Sequence, residues 1–242
     1  FTGYAALLAR TGVESFFNLR EKRQLRDSFG RYVSPQVLNE ILAGRLKSGL
    51  GGAHRRVCVL FSDIRGFTHR SEGQPPEAII ALLNRYFTEM VNAIHAHGGT
   101  LDKFIGDGIM AIFGAPDAHK NAAQDAFDCA REMLTRLETL NRTLALEGIE
   151  PIRIGVGLHV GEVIVGHIGS ESRHEYSAIG DPVNVASRLE SLTKEVHYPI
   201  VCSREVAQAL TESRGLVDLG EHPIKGHVPV AVFGYQPAMG TT

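Results

Sequence analysis

Two aspartates stand where apolar segments end. Asp63 follows Val57-Cys58-Val59-Leu60-Phe61-Ser62, and Asp107 lies between glycines in Phe104-Ile105-Gly106-Asp107-Gly108-Ile109-Met110. A carboxylate closing a run of buried aliphatics is costly unless something pairs with it. Two such carboxylates brought together repel unless a cation sits between them. Divalent magnesium, held by one or two carboxylates and completed by substrate phosphates, meets that need. The pair therefore points to phosphate chemistry, with ions steadying the attacking and leaving oxygens. Taken alone, Asp107 in Gly-Asp-Gly is equally well read as a turn-capping residue.

A second group follows Asp181-Pro182, which starts a helix by the rule that favours proline at the first helical position. Asn184 and Arg188 are four residues apart on it and share a face. A side-by-side amide and guanidinium suit a sugar hydroxyl and a phosphate. A surface polar pair, or a bridge from Arg188 to Glu190 or Glu162, satisfies the same spacing. Lys103, in an otherwise apolar strand, is either a donor to a base acceptor atom or a lysine that snorkels to the surface. Ser177 could add a second base contact, and Lys225, in Pro223-Ile224-Lys225-Gly226, could reach a terminal phosphate. None of the 11 histidines has metal-ligand spacing. His95 and His97 end a helix, where contact with the helix dipole suffices.

The elements that must position these groups are legible from periodicity. Residues 56–62 form an apolar, β-branched run. Pro76–His97 carries Ile79, Ile80, Leu83, Tyr86, Phe87, Met90 and Ile94 at helical spacing, and Gly98-Gly99 stops it. Thr100–Ile105 and Ile109–Phe113 flank a hairpin turn at Gly106-Asp107-Gly108. Residues 118–147 read as a second long helix. Ile152–His159 and Glu162–Gly166 read as strands around Gly161, and Tyr176–Ile179 as another. Ile200–Val201, Arg204–Leu210, Leu216–Leu219 and Val228–Tyr235 read as short strands with one helix. Strands interleaved with helices that cover one face imply an α+β fold, a ferredoxin-like βαββαβ core with extensions.

Residues 1–50 differ. An amphipathic helix over residues 13–30 and a short helix from Pro35 to Ala43, capped by Ser34, form a leader suited to signalling or dimerisation. Leu50-Gly51-Gly52 reads as a linker. The net charge of −2 and the absence of a basic stripe argue against nucleic acid. Cys58, Cys129 and Cys202 lie far apart in apolar surroundings, as expected of buried, reduced thiols in the cytosol. No run of eighteen apolar residues is present, so this segment is expected to make no membrane contact of its own. The chain starts at Phe1, and an upstream membrane or sensor region fits that start.

Phe61-Ser62-Asp63-Ile64-Arg65-Gly66-Phe67-Thr68, Lys103-Phe104-Ile105-Gly106-Asp107 and Ile179-Gly180-Asp181-Pro182-Val183-Asn184-Val185-Ala186-Ser187-Arg188 occur in that order. The ordered set resembles the catalytic domain of class III nucleotide cyclases, over about residues 54–236. Phe29-Gly30-Arg31-Tyr32-Val33-Ser34-Pro35 is similar to the linker before bacterial cyclase domains that follow sensor or membrane modules. The resemblance implies the class III nucleotide cyclase fold and an adenylyl cyclase that converts ATP to 3′,5′-cyclic AMP and pyrophosphate. Asp63 and Asp107, with the Ile64 carbonyl, would hold two Mg²⁺, for which Mn²⁺ could substitute. Lys103 and Ser177 would select the base. Asn184 would orient the ribose, and Arg188 would stabilise the transition state. Phe67 and Thr68 would lie near the phosphates, and Lys225 would contact the terminal one. Some members carry a phosphate-touching arginine where this chain has Glu162. The resemblance further implies a homodimer with two composite sites, in a cytoplasmic domain that could belong to a membrane-anchored protein. A guanylyl cyclase and a non-catalytic nucleotide-binding dimerisation module are the alternatives.

Overall fold

The computed structural model describes residues 37–38, 51–170, 174–213, 215–224 and 226–237. The chain divides into two compact units, Phe1–Gly49 and Leu50–Thr242. In the first, residues 37 and 38 are described, as helix. The rest of the expected leader helices, Ser34 and Lys225 lie outside the described residues.

In the second unit the described elements run β1 (Gly51–Ile64), α1 (Phe67–Ser71), α2 (Pro76–Ala96), β2 (Thr100–Ile105), β3 (Gly108–Phe113), α3 (Ala122–Leu146), β4 (Ile154–Gly169), β5 (His174–Ile179), α4 (Asp181–Val196), β6 (Ile200–Ser203), α5 (Arg204–Ala209), β7 (Leu216–His222) and β8 (Val230–Tyr235). One sheet holds the strands in the order β2-β3-β1-β4-β6-β8-β7, with β5 paired to β4. Each neighbouring pair among the first four is antiparallel, the arrangement a βαββαβ core requires. β6 joins parallel to Val156–Leu158 of β4, and β5 joins antiparallel to Ile164–Gly169 farther along the same edge.

Alternation along β1 sends its side chains to two different cores. Cys58, Leu60 and Ile64 meet Tyr86, Met90 and Ile94 of α2 and Phe127 and Met133 of α3. Each large aliphatic or aromatic group so buried contributes about 1.5–3 kcal/mol. Val57 and Val59 face the other way, with Met110, Ile112, Val163 and Ala186 of α4. Ser62 falls on the α2 side, where its hydroxyl lies 3.3 Å from that of Tyr86. Asp63 therefore falls on the α4 side, at the end of a strand locked to β4 along its whole length.

Two expectations are corrected. Gly51 and Gly52 are not a linker but the first residues of β1. They lie opposite Gly166 and His167, and a Cβ on Gly166 would strike the Gly51 backbone. Gly161 does not divide two strands, because β4 runs unbroken through it. The residue is small because α4 lies against it: a Cβ at Gly161 would strike Pro182, and one at Gly157 would strike the backbone of Ala186 and Glu190. All three cysteines are free and buried, and burial pushes the Cys202 thiol up to about 12, which makes an inert structural thiol. No described helix is long and apolar enough to cross a membrane.

Candidate active site

The two aspartates come together. Asp63 ends the central strand, and Asp107 occupies the two-residue turn between β2 and β3. Gly106 has φ 64° and Asp107 does not have a positive φ, the sign pattern of a type II′ hairpin with glycine first. The Asp107 carboxyl faces that of Asp63 and lies near the Ile64 backbone. Burial first, and the Asp63 charge second, push the Asp107 carboxyl up to about 6. Among the described residues no third histidine, cysteine or acid completes a metal-binding group. An all-oxygen pair of mutually repelling carboxylates, one wall short of a full shell, fits a hard divalent ion whose other ligands are water and substrate oxygens.

The raised carboxyl has a measurable consequence. Asp107 binds its proton more tightly in the folded state, so it contributes stability that is full below its ordinary value of 3.8 and is lost as pH rises through about 6. In metal-free protein, wild type should gain thermal stability relative to Asp107→Asn as pH falls from about 7 to about 5. Calorimetry on both proteins checks this, and parallel pH profiles would contradict it.

Around the pair lies a network that sequence reasoning missed. Lys194, in the last turn of α4, places its Nζ 3.6 Å from Asp63 Oδ2. Glu190 is buried beside them, and burial followed by the Asp63 charge raises its carboxyl above the usual range. Its ion partner is Arg65, at 3.3 Å, and Arg65 also donates to the Thr193 hydroxyl. The bridge from Arg188 to Glu190 is thus not made. No local sequence signal links position 194 to position 63, because the contact is created by laying α4 across β4. Gly66, at φ 66°, turns the chain after Arg65 into α1. Phe67 there packs against the core, and Thr68 is exposed.

Lys103 and Ser177 also come together. The β2–β3 register skips Asp102, so a bulge places Asp102 beside Lys103 rather than across the sheet from it. Ser177 Oγ donates to Asp102 Oδ2 at 2.6 Å. Lys103 Nζ lies 3.5 Å from Asp102 Oδ1 and donates to Glu175 at 3.1 Å. The contact to Asp102 Oδ1 is an ion pair without hydrogen-bond geometry. Burial raises the Asp102 carboxyl, opposed by the Ser177 and Lys103 contacts. Asp102 was visible in the sequence only as the neighbour of Lys103.

Asn184 and Arg188, both exposed, line one cavity of about 410 Å³ with Asp181, Ile224, Gly226 and His227. His227 Nε2 lies 3.0 Å from Asp181 Oδ2 at its rim. Lys225, expected at the terminal phosphate, lies outside the described residues. Neither Asp63 nor Asp107 lines it. One chain therefore presents an acid pair and, separately, an amide–guanidinium pair. His97 was expected at the helix dipole; its Nε2 instead lies 2.7 Å from Glu132.

Comparison with known proteins agrees with this geometry. Residues 52–236 match the family described as the adenylate and guanylate cyclase catalytic domain. The crystal structure of the guanylyl cyclase Cya2 superposes with a TM-score of 0.70 at 37% identity, covering 79% of this chain and 98% of that one. The adenylyl cyclase CyaB from P. aeruginosa superposes with a TM-score of 0.72 at 33% identity, covering 80% and 100%. The uncharacterized protein Rv1318c of Mycobacterium tuberculosis is 36% identical over 211 residues. That match takes in 86% of this chain but spans only 37% of the relative's length.

Proposed function

The chain belongs to the adenylate and guanylate cyclase catalytic domain family, and from that premise we propose that it is an adenylyl cyclase, forming 3′,5′-cyclic AMP and pyrophosphate from ATP at sites shared by two copies of the chain. The observation that carries the choice of ATP is the hydrogen bond from Ser177 to the buried Asp102 carboxylate. It commits the hydroxyl proton, so Ser177 Oγ offers only lone pairs to a base. Lys103 offers only protons. Adenine presents an acceptor at N1 and a donor at its 6-amino group, the complement of that pair. With Lys103 set at N1 and Ser177 at the 6-position, guanine, which presents N–H at N1 and an oxygen at C6, would set like against like at both contacts.

In the reaction the ribose 3′-hydroxyl attacks the α-phosphorus, and pyrophosphate departs on the opposite side. Asn184 holds the ribose so that the hydroxyl is in line. Arg188 donates to the charge that develops on the α-phosphate, a role whose loss costs about 10²–10³-fold in comparable sites. Lys225 receives the terminal phosphate, and the start of α1 at Phe67 and Thr68 borders the chain of phosphates. Asp63, Asp107 and the Ile64 carbonyl would hold two Mg²⁺, which supply charge neutralisation and a lowered hydroxyl pKa when bound. The acids and the Asn184–Arg188 pair do not share a cavity in one chain. A head-to-tail homodimer brings the acids of one subunit to the Lys103, Ser177, Asn184 and Arg188 set of the other, twice over.

Parallel assays with ATP and GTP test the reading directly, and preference for GTP ends the adenylyl assignment. Asp102→Asn gives a sharper test. It frees the Ser177 proton while preserving volume, and the ratio of kcat/KM for ATP over GTP should fall by about tenfold, the scale of one mispaired polar contact. An unchanged ratio would remove Asp102 from base selection.

A further inference from the structure

We propose that Lys194 is a tethered counter-ion for Asp63, sitting at its open carboxylate oxygen in the metal-free protein and leaving when a divalent ion enters. The proposal rests on the metal-binding reading of Asp63 and Asp107.

The local charges require a cation at this position. Asp63 is faced by Asp107 and by the buried Glu190, three carboxylates in all. Two cations answer them. Arg65 is held in place by Glu190 and Thr193. Lys194 is the less constrained one: its side chain is 50% exposed, and it meets Asp63 at 3.6 Å through an ion pair rather than a hydrogen bond. A half-exposed pair of this kind is weak enough to break. The displaced ammonium also has a place to go. Lys194 borders an open cleft of about 750 Å³ whose wall includes Glu138, Asn141 and Tyr198. Glu138 there offers an alternative partner.

Lys194 thus sets the divalent-ion concentration at which the acids are filled. It lowers the repulsion between Asp63, Asp107 and Glu190 when no ion is present, and it competes with the ion for Asp63. This makes Lys194 a positioning residue that acts through the metal ligand.

The test measures Mn²⁺ binding to the full chain, without nucleotide, from the electron paramagnetic resonance signal of the free ion. Lys194→Gln and Lys194→Met should each bind Mn²⁺ about three- to fivefold more tightly than wild type at low salt, the scale of one exposed ion pair. The gap should shrink at about 0.5 M salt, where such pairs are screened. Lys194→Arg should stay close to wild type. Equal or weaker binding by both uncharged variants, with unchanged melting temperatures, overturns the proposal. Asp63→Asn separates this from the underlying reading. Loss of Mn²⁺ binding in that variant keeps the metal assignment whatever Lys194 does. Wild-type binding there removes the assignment and this proposal together.

Discussion

Asp107→Ala protein is expected to lose cyclase turnover by about 10²–10³-fold or more while its metal-free form melts at a higher temperature than wild type at neutral pH. The two effects have one cause. Charge stabilisation by preorganisation is worth two to three orders of magnitude in rate, and the carboxylate that would hold the ions supplying it is itself held beside another of the same sign. Folding at neutral pH carries an already ionised Asp107 into a site where burial and Asp63 oppose its charge. Removing it relieves that opposition, as the linkage between raised carboxyl pKa and stability demands. The turn survives because its backbone depends on Gly106, not on the aspartate side chain. Activity assays and thermal melts on the same preparation check both halves. Activity that persists would dismiss the metal assignment, and a large drop in melting temperature would make the loss of turnover uninformative.

Mixing two dead proteins should restore activity. Asp107→Ala and Arg188→Ala chains, each inactive alone, should form heterodimers in which one site carries both lesions and the other carries neither. Random pairing makes about half the dimers mixed, and each has one of two sites intact, so about a quarter of wild-type activity is expected at equal amounts. Dilution should abolish it as dimers dissociate. Two variants that remain inactive after co-expression would mean that the acids and the guanidinium serve one site within one chain. The separation of Asp63 and Asp107 from the cavity lined by Asn184 and Arg188 is the structural ground for expecting otherwise.

The residues that the sequence marked by type and spacing are largely the ones that the structure groups. Asp63 and Asp107 were legible because a charge ending an apolar strand is conspicuous, and Gly-Asp-Gly named its turn. Asn184 and Arg188 were legible because helical spacing fixes a shared face. The alternation of helix and strand matches the observed succession of elements β1 to β4 in the core. What was not legible depends on packing. Lys194 reaches Asp63 only because α4 crosses β4. Asp102 turns toward Ser177 only because a bulge takes it out of register. Glycine was misread twice, at 51–52 as a linker and at 161 as a break, because a glycine required for close contact looks the same in sequence as one that bends the chain. Position 225 and most of the leader fall outside the described residues.

The bare stretch of β4 beneath α4 carries one more implication. With no Cβ at Gly157 and Gly161, the helix bearing Asn184 and Arg188 rests directly on the strand, and that strand is hydrogen-bonded to β1 as far as Ile64. The acids and the guanidinium are therefore fastened to one stiff plate, with no slack by which an incoming signal could slide one past the other. In the proposed dimer, the distance from the acids of one subunit to the guanidinium of the other would therefore change as the two plates tilt, not as either is reshaped.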